Sequence, residues 1–449
     1  MSAGGKRPFS YLNTTHMKTF VIIWFGQLVS LVGTAMTRFA LLIWAYDLTG
    51  SATTVALLGF FAFVPYVLVS PVAGAWVDRL DRRLVMLFSD LGAGIMTIGV
   101  YFLFVNGQLE IWHLFIAQAL AGMFEAFQTP AYIASTTLLV DKSQYGRISG
   151  MRSIAESASQ IIGPIAAGAA LAFINIDGVM LIDIGTFLIA MVTLLIIRIP
   201  NPPEETASLT EKNLWKDIRL GFDYIMARKG LRGLLFIYVG INLFAALTYF
   251  AVMPSLILAR TGGNEQALAI VEGMLGLGGV VGGVVLSVWG GPKRQIHGVL
   301  AGAAISFFLG DLLFAVGQSV VVWGAGAFLA AFFIPFIMGG NRAIWQSKVP
   351  PAIQGRVFSV QTMLQTGMMP IGYLAAGPLA DLVFEPAMAT NGRLAETFGW
   401  LVGTGAGAGM GLMFLGTAVL GLLMSLSGYL FAAVRNVETE LPDYDAVIA

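Results

Sequence analysis

Long apolar runs alternate with short polar stretches along the whole chain, and twelve of the runs have membrane-spanning length: 20–46, 52–77, 84–106, 111–139, 149–175, 178–198, 232–259, 267–289, 297–317, 320–346, 357–383 and 400–434. A crossing takes about 20 apolar residues. In lipid each isolated span must satisfy its own backbone hydrogen bonds, so every run is expected to be a helix. The first run is too long for a signal-peptide core and lacks a cleavage site, so it counts as a span. The pattern predicts an all-α integral membrane protein with twelve transmembrane helices.

One long polar connection, Pro200 to Leu231, interrupts this rhythm and separates six runs from six. It opens with Asn201-Pro-Pro-Glu-Glu, which is not helical throughout. Ser208-Leu-Thr-Glu211 then has the form of a capping box. Beyond it Leu214, Ile218, Phe222, Ile225 and Met226 recur at helical spacing among Lys212, Lys216, Arg219 and Arg228. This predicts an amphipathic helix on the cytoplasmic membrane surface, with a solvated loop helix as the alternative. The expected organisation is a six-helix half over 1–198, a linker over 199–231, a second six-helix half over 232–434 and an acidic cytoplasmic tail over 435–449.

Composition sharpens the class. Of 449 residues 57% are hydrophobic and 11% charged, where a soluble domain carries about 25% charge. Lys plus Arg balances Asp plus Glu at 25 each, which excludes a basic surface for nucleic acid. There is no cysteine, and His16, His113 and His297 are scattered, so no metal site is expected. P-loop, GxGxxG and HExxH patterns are absent, so no cofactor and no enzyme activity are expected. With the amino terminus inside, all but Arg38, Arg260 and Arg393 of the 25 basic residues fall in inner segments or at inner span ends. That bias places both termini in the cytoplasm of a multi-pass protein of the cell membrane.

The halves repeat. Tyr145-Gly-Arg147 leads into Ile162-Gly163-Pro164-Ile-Ala-Ala-Gly168, and 209 residues later Gln354-Gly355-Arg356 leads into Ile371-Gly372-Tyr373-Leu-Ala-Ala-Gly377 without gaps. Two six-helix units related by an axis along the membrane normal are one of the recurrent transporter builds, with substrate bound between them near mid-membrane. Small residues let helix backbones approach, and Pro164 frees a carbonyl and bends its helix. Plain helix packing explains Gly163, Pro164 and Gly168 equally well.

The stretch Gly74-Ala-Trp-Val-Asp78-Arg79-Leu-Asp81-Arg82-Arg83 sets five charges in six residues between two spans. It resembles the loop between spans 2 and 3 of the major facilitator superfamily. Asp47-Leu-Thr-Gly-Ser51, Phe127-Gln-Thr-Pro130-Ala131, Gly146-Arg147 and Leu220-Gly221-Phe222-Asp-Tyr224 are similar to its branch of macrolide-efflux and enterobactin-exporter proteins. Gly163 to Gly168 resembles the span 5 motif of drug antiporters, with Ala167 replacing one glycine of its pair. Gln118, four residues before Gly122, stands where the superfamily carries an arginine, which unsettles coupling schemes built on that arginine. The resemblance implies the major facilitator fold, with Asp78 facing the start of span 11 just after Gly355-Arg356. Arg79, Arg82 and Arg83 would then complete a cytoplasmic gate with Gly74.

A charge near the bilayer centre costs about 2.5–3.5 kcal/mol or more, so it needs a partner or a task. Glu125 lies about 14 residues, roughly 21 Å, from the inner end of span 4. Burial there would favour its proton-carrying form. The resemblance places Glu125 on the central cavity, with Arg38 as partner; a purely structural ion pair is the other reading. Asp90, Glu156, Asp183, Glu272 and Asp311 sit nearer span ends and are weaker candidates, and Arg152 and Glu156 suit a local pair. Gln118, Asn242, Tyr249 and Arg342 are candidate cavity residues, although Arg342 also suits snorkelling to the interface. The chain is thus expected to be a monomeric, proton-coupled exporter of an amphiphilic organic compound, drug-like or siderophore. An importer or uniporter, or a lipid or lysolipid translocase, on the same fold remains the alternative.

Overall fold

The computed structural model of the protein describes residues 10–77, 80–140, 144–197 and 214–443, and every regular element among them is helical. Span 1 is Ser10–Thr49, span 2 Ala52–Val77, span 3 Arg82–Val105 and span 4 Ile111–Leu139. Spans 5 and 6 share the 52-residue helix Tyr145–Ile196, interrupted at Asn175, whose φ is 51°. Asparagine tolerates positive φ better than most residues, so a single residue makes the kink where a short connection was expected. Among the described residues ten helices are long and apolar enough to cross a membrane. Dividing the stretch Arg147–Ile196 at Asn175, and adding Ile111–Leu139, whose polar Gln118, Glu125, Gln128 and Thr129 dilute it, gives twelve spans.

The later spans are less regular. Span 7 runs from Lys229–Ala245 through a π-helical stretch, Ala246–Phe250, into Met253–Thr261. Span 8 is Glu265–Trp289. Span 9 has a π-helical centre, Ser306–Asp311, between Gln295–Ile305 and Leu312–Val316. Span 10 comprises Val320–Phe332 and Ile334–Lys348. Span 11 comprises Gln354–Thr366, Met369–Pro378, the π-helical Leu379–Phe384 and Glu385–Met388. Span 12 begins later than its hydropathy implied, at Ala408, and runs to Leu430. Ahead of it the short helix Ala395–Val402 stops at Gly403, Gly405 and Gly407, with φ of 81°, 91° and 80°. Side chains disfavour such backbone, and glycine accepts it.

Contact density divides the chain into two compact units: Met1–Leu42 with Phe61–Ser208, and Ile43–Phe60 with Leu209–Ala449. The sequence repeat reappears inside each. In the first unit a Cβ on Gly163 of span 5 would lie 2.5 Å from the Ala35 Cβ of span 1. In the second, a Cβ on Gly372 of span 11 would lie 2.6 Å from the Ala246 Cβ of span 7. The glycines at equivalent repeat positions therefore serve the same close crossing of equivalent helix pairs.

The linker helix spans Leu214–Ala227. Its Ile225 is fully buried in a cluster with Leu231, Leu234, Val357 and Val360, while Phe222 is exposed. A Cβ on Gly221 would stand 2.7 Å from the Arg356 carbonyl oxygen. One edge of this helix is thus packed on protein, where docking of its apolar face on the membrane surface was expected. The proposed cap at Ser208 to Glu211 lies outside the described residues.

Spans 8 and 10 meet backbone to backbone: a Cβ on Gly278 would sit 2.3 Å from the Phe328 carbonyl oxygen, and one on Gly282 2.0 Å from that of Phe332. Gly279, between them, has nothing within 4 Å. Gly282→Leu should therefore destabilise the protein by about 1–3 kcal/mol through overpacking, whereas Gly279→Leu should stay within about 0.5 kcal/mol. Thermal unfolding of both variants in detergent checks this; equal melting temperatures would contradict the close crossing.

Candidate functional site

The charged loop after span 2 is built around a helix start. Asp81 accepts from the amides of Arg83 at 2.9 Å and Leu84 at 3.2 Å, capping span 3. Arg82 donates to the Ala134 carbonyl of span 4 at 2.8 Å. Arg83 reaches the carbonyls of Leu194 at 2.8 Å and Leu195 at 2.5 Å, at the end of span 6. Both guanidinium groups are thus engaged inside the first unit. Asp78 and Arg79 lie outside the described residues. Gly74 and Gly355 each have open space where a Cβ would stand, and Arg356 is exposed.

Within the first unit, Arg38 Nη2 donates to Glu125 Oε2 at 3.1 Å. The two side chains are 46% and 51% exposed, so Glu125 is not sealed into helix packing as its depth suggested. Gln118 is partly buried two turns before Glu125 on the same helix. Two other intramembrane carboxylates of this unit meet neutral partners. Asp90 accepts from Gln27 Nε2 at 2.9 Å, and Gln27 in turn accepts from Gln128 at 3.3 Å. Asp183, 2% exposed, accepts from the Thr34 hydroxyl at 3.1 Å and the Thr97 hydroxyl at 3.5 Å. Arg152 and Glu156 form a local pair at 2.7 Å. Gly163 has the packing role described above, and Ala167, in place of the motif's glycine, is fully buried.

The candidate cavity residues of the second unit do not converge. Asn242 donates to the Tyr238 carbonyl of its own helix at 3.1 Å, and Arg342 is exposed. Tyr249 belongs to a different site, a buried one around Asp311. There the carboxyl group, fully buried, is bonded on both oxygens: Tyr249 Oη to Oδ1 at 2.5 Å and Thr417 Oγ1 to Oδ2 at 2.5 Å.

Both ends of the second unit carry remote caps that sequence spacing did not reveal. At the expected outer end, Asp381 accepts from Ser51 Oγ at 2.7 Å, Ala52 N at 3.1 Å, Thr53 N at 2.8 Å and Thr53 Oγ1 at 2.7 Å. This carboxylate closes the amino end of span 2, where unpaired N–H groups favour an anion. One turn earlier, a Cβ on Gly377 would stand 2.3 Å from the Thr53 Cα. One turn later, Glu385 accepts from Gly407 N at 3.0 Å and Met410 N at 2.8 Å, capping span 12. Arg260 binds the carbonyls of Gly317 at 2.5 Å and Val402 at 2.8 Å. The motif Asp47 to Ser51 hinted at this site only by ending on the hydroxyl that Asp381 holds.

At the opposite end Glu438 accepts from Gln295 N and Ile296 N, each at 3.0 Å, capping span 9. The Lys348 ammonium, 5% exposed as a residue, donates to the carbonyls of Glu438 at 2.6 Å and Leu441 at 2.5 Å and to Asp443 at 2.7 Å. Tyr224 of the linker helix donates to the Lys348 carbonyl at 2.7 Å, and the Arg228 guanidinium lies 3.4 Å from its ring centroid. Burial pushes the Tyr224 phenol above its ordinary pKa, with Arg228 opposing. The described part of the tail is therefore strapped to spans 9 and 10.

Comparison with known proteins adds to this geometry. The family model described as Major Facilitator Superfamily matches residues 23–373. The chain is 28% identical over 371 residues to macrolide efflux protein A of Streptococcus pyogenes, covering 81% of this chain and 90% of that protein. It is 25% identical to the staphyloferrin A transporter of Staphylococcus aureus, over 74% of this chain and 82% of that one. Its fold is similar to the crystal structure of a bacterial homologue of the human lysosomal transporter Spinster, with a TM-score of 0.67 at 16% identity, over 96% of this chain and 98% of that chain.

The Asp381 clamp makes a direct prediction. Hydrogen bonds to a charged group are worth about 1.5–3 kcal/mol, so Asp381→Ala should speed amide exchange at Ala52 and Thr53 roughly ten- to hundredfold. Unchanged protection at these amides would show that the carboxylate does not hold the start of span 2.

Proposed function

Because the chain belongs to the major facilitator superfamily, whose model matches residues 23–373, we propose that it is a proton-coupled exporter of an amphiphilic organic compound, working by alternating access. The observation that carries this reading is the Arg38–Glu125 pair, a half-exposed carboxylate and guanidinium 3.1 Å apart within membrane spans. Protonation of Glu125 removes the charge that holds Arg38, so the pair offers two states that a proton and a cationic or polar substrate group can bias in opposite senses. Gln118, partly buried two turns away on the same helix, adds a polar group to the first unit's side of such a cavity. Macrolide efflux protein A supports export of a drug-like amphiphile. The staphyloferrin A transporter keeps a siderophore as the second reading.

The proposal extends to topology and gating. Both termini face the cytoplasm of a bacterial cell, the protein acts as a monomer in the bilayer, and the loop from Gly74 to Arg83 with Gly355 and Arg356 is the cytoplasmic gate. Asp78 is the residue of that gate whose charge is expected to matter, because unpaired amides at a helix start favour an anion, as Asp381 illustrates at span 2.

In everted vesicles with an imposed pH gradient, Glu125→Gln is expected to reduce substrate transport to the level of protein-free vesicles, whereas substrate binding persists. Wild-type uptake in that variant would sink the coupling role. Asp78→Asn should lower transport at least tenfold with the protein still in the membrane; normal rates would leave the loop a topological signal alone. Accumulation of macrolides, siderophores and lysolipids in cells with and without the protein separates the substrate readings, since an exporter lowers accumulation and an importer raises it.

A further inference from the structure

The Asp311 cluster has no part in the mechanism above, yet its chemistry is specific. Asp311 ends the π-helical stretch of span 9, and Tyr249 lies in that of span 7. Such stretches recur at functional sites. A Cβ on Gly310 would meet Tyr249 Oη at 2.9 Å, so glycine there lets the phenol reach the carboxyl group. Phe314 and Phe414 stand edge-on to the Tyr249 ring, with centroids 5.6 and 5.5 Å away, and exclude water from it.

No cation balances this carboxyl group among the described residues. Tyr249 is the titratable neighbour bonded to it. Val320–Phe332 of span 10, packed against the same stretch, has no titratable residue. On spans 9 and 12 the remaining ones are His297 and Tyr429, which pair with each other at 3.1 Å near the other end of the helices. Lys229, Arg232 and Tyr238 of span 7 lie towards that end too. Further out, Arg260 is bonded to the carbonyls of Ala315, Gly317 and Val402, and Glu385 to the amides of Gly407 and Met410.

Hydrogen-bond accounting shows what completes the site. Thr417 has one hydroxyl proton and three acceptors in reach: Asp311 Oδ2 at 2.5 Å, Phe414 O at 3.1 Å and Met413 O at 3.3 Å. With Asp311 ionised, that proton goes to Oδ2. With a proton on Oδ2, the carboxyl group donates to Thr417 Oγ1, and the hydroxyl turns its own proton to the carbonyls of its helix. Tyr249 donates to Oδ1 in both states. One proton is gained, no covalent bond to carbon or nitrogen changes, and every donor keeps an acceptor.

We propose that Asp311 is a proton-binding site in the second unit, with Tyr249 and Thr417 as positioning residues, and that it works beside Glu125 in proton coupling. The second clause rests on the proton-coupled reading; the first does not. The class of ligand is the proton itself.

The test is a pH titration of the full-length protein in lipid nanodiscs, followed by infrared difference spectroscopy of the protonated-carboxyl band. A component of that band should be lost in Asp311→Asn, which keeps the shape and one acceptor oxygen. It should persist in Glu125→Gln. Tyr249→Phe should retain it with the midpoint about one pH unit higher, a tenfold change in proton affinity, because the ionised form loses a donor. An unaltered band in Asp311→Asn overturns the site, and an unmoved midpoint in Tyr249→Phe overturns the positioning role. In vesicles, Asp311→Asn should lose at least tenfold of gradient-driven transport. Full transport with the band component lost would overturn the coupling clause alone, and failure of Glu125→Gln to affect transport would strike the earlier reading without touching the band.

Discussion

A helix that starts inside an apolar slab leaves backbone amides with no partner within the helix and little water to supply one. The second unit meets this constraint with carboxylates sent from other elements: Asp381 to span 2, Glu385 to span 12 and Glu438 to span 9. At carboxyl ends the complement is cationic. Arg260 collects the carbonyls of Gly317 and Val402, and Lys348 those of Glu438 and Leu441. In the first unit Arg83 does the same for Leu194 and Leu195. Residues that a topology count treats as scattered charges at span ends are thus the groups that terminate helices.

Remote caps differ from local caps in what they join. A local cap such as Asp81 on span 3 fixes one helix start and nothing else. Asp381 instead ties the start of span 2 to span 11, so that residues 43–60 pack with the second unit although their helices begin and end in the first. Freeing Asp381 from this segment would leave two amides and two hydroxyls of residues 51–53 without their carboxylate partner.

Much of the architecture was legible because its signals are local and periodic. Span positions follow from hydropathy, the linker helix from the 3.6-residue recurrence of Leu214 to Ile225, and the repeat from Gly163 and Gly372 in one register. Arg38 and Glu125 were legible as a pair because opposite charges are costly alone in lipid. What escaped is three-dimensional. Nothing local to Asp381 says that it reaches Ser51, 330 residues away. The late start of span 12 escaped because Gly403 to Gly407 are apolar enough to pass for helix while their positive φ forbids it. Tyr249 was a candidate cavity residue on its polar tip alone, and its bond to Asp311 places it in a buried cluster that no local pattern announces.

Three of the residues whose partners the sequence did not reveal share one structural setting. Each π-helical stretch among the described residues carries one of them: Tyr249 in Ala246–Phe250, Asp311 in Ser306–Asp311 and Asp381 in Leu379–Phe384. An inserted residue in a helix shifts the face on which the next side chains point, so 3.6-residue counting places them wrongly. Proline contributes at two of the three. Pro254 follows the first stretch, and Pro378 precedes the third, each removing an amide that regular helix bonding would use. The second has Gly310 within it instead, where a side chain would collide with the Tyr249 phenol. The same insertions that defeat a periodic count bring a phenol, a hydroxyl and a carboxyl group together from spans 7, 12 and 9.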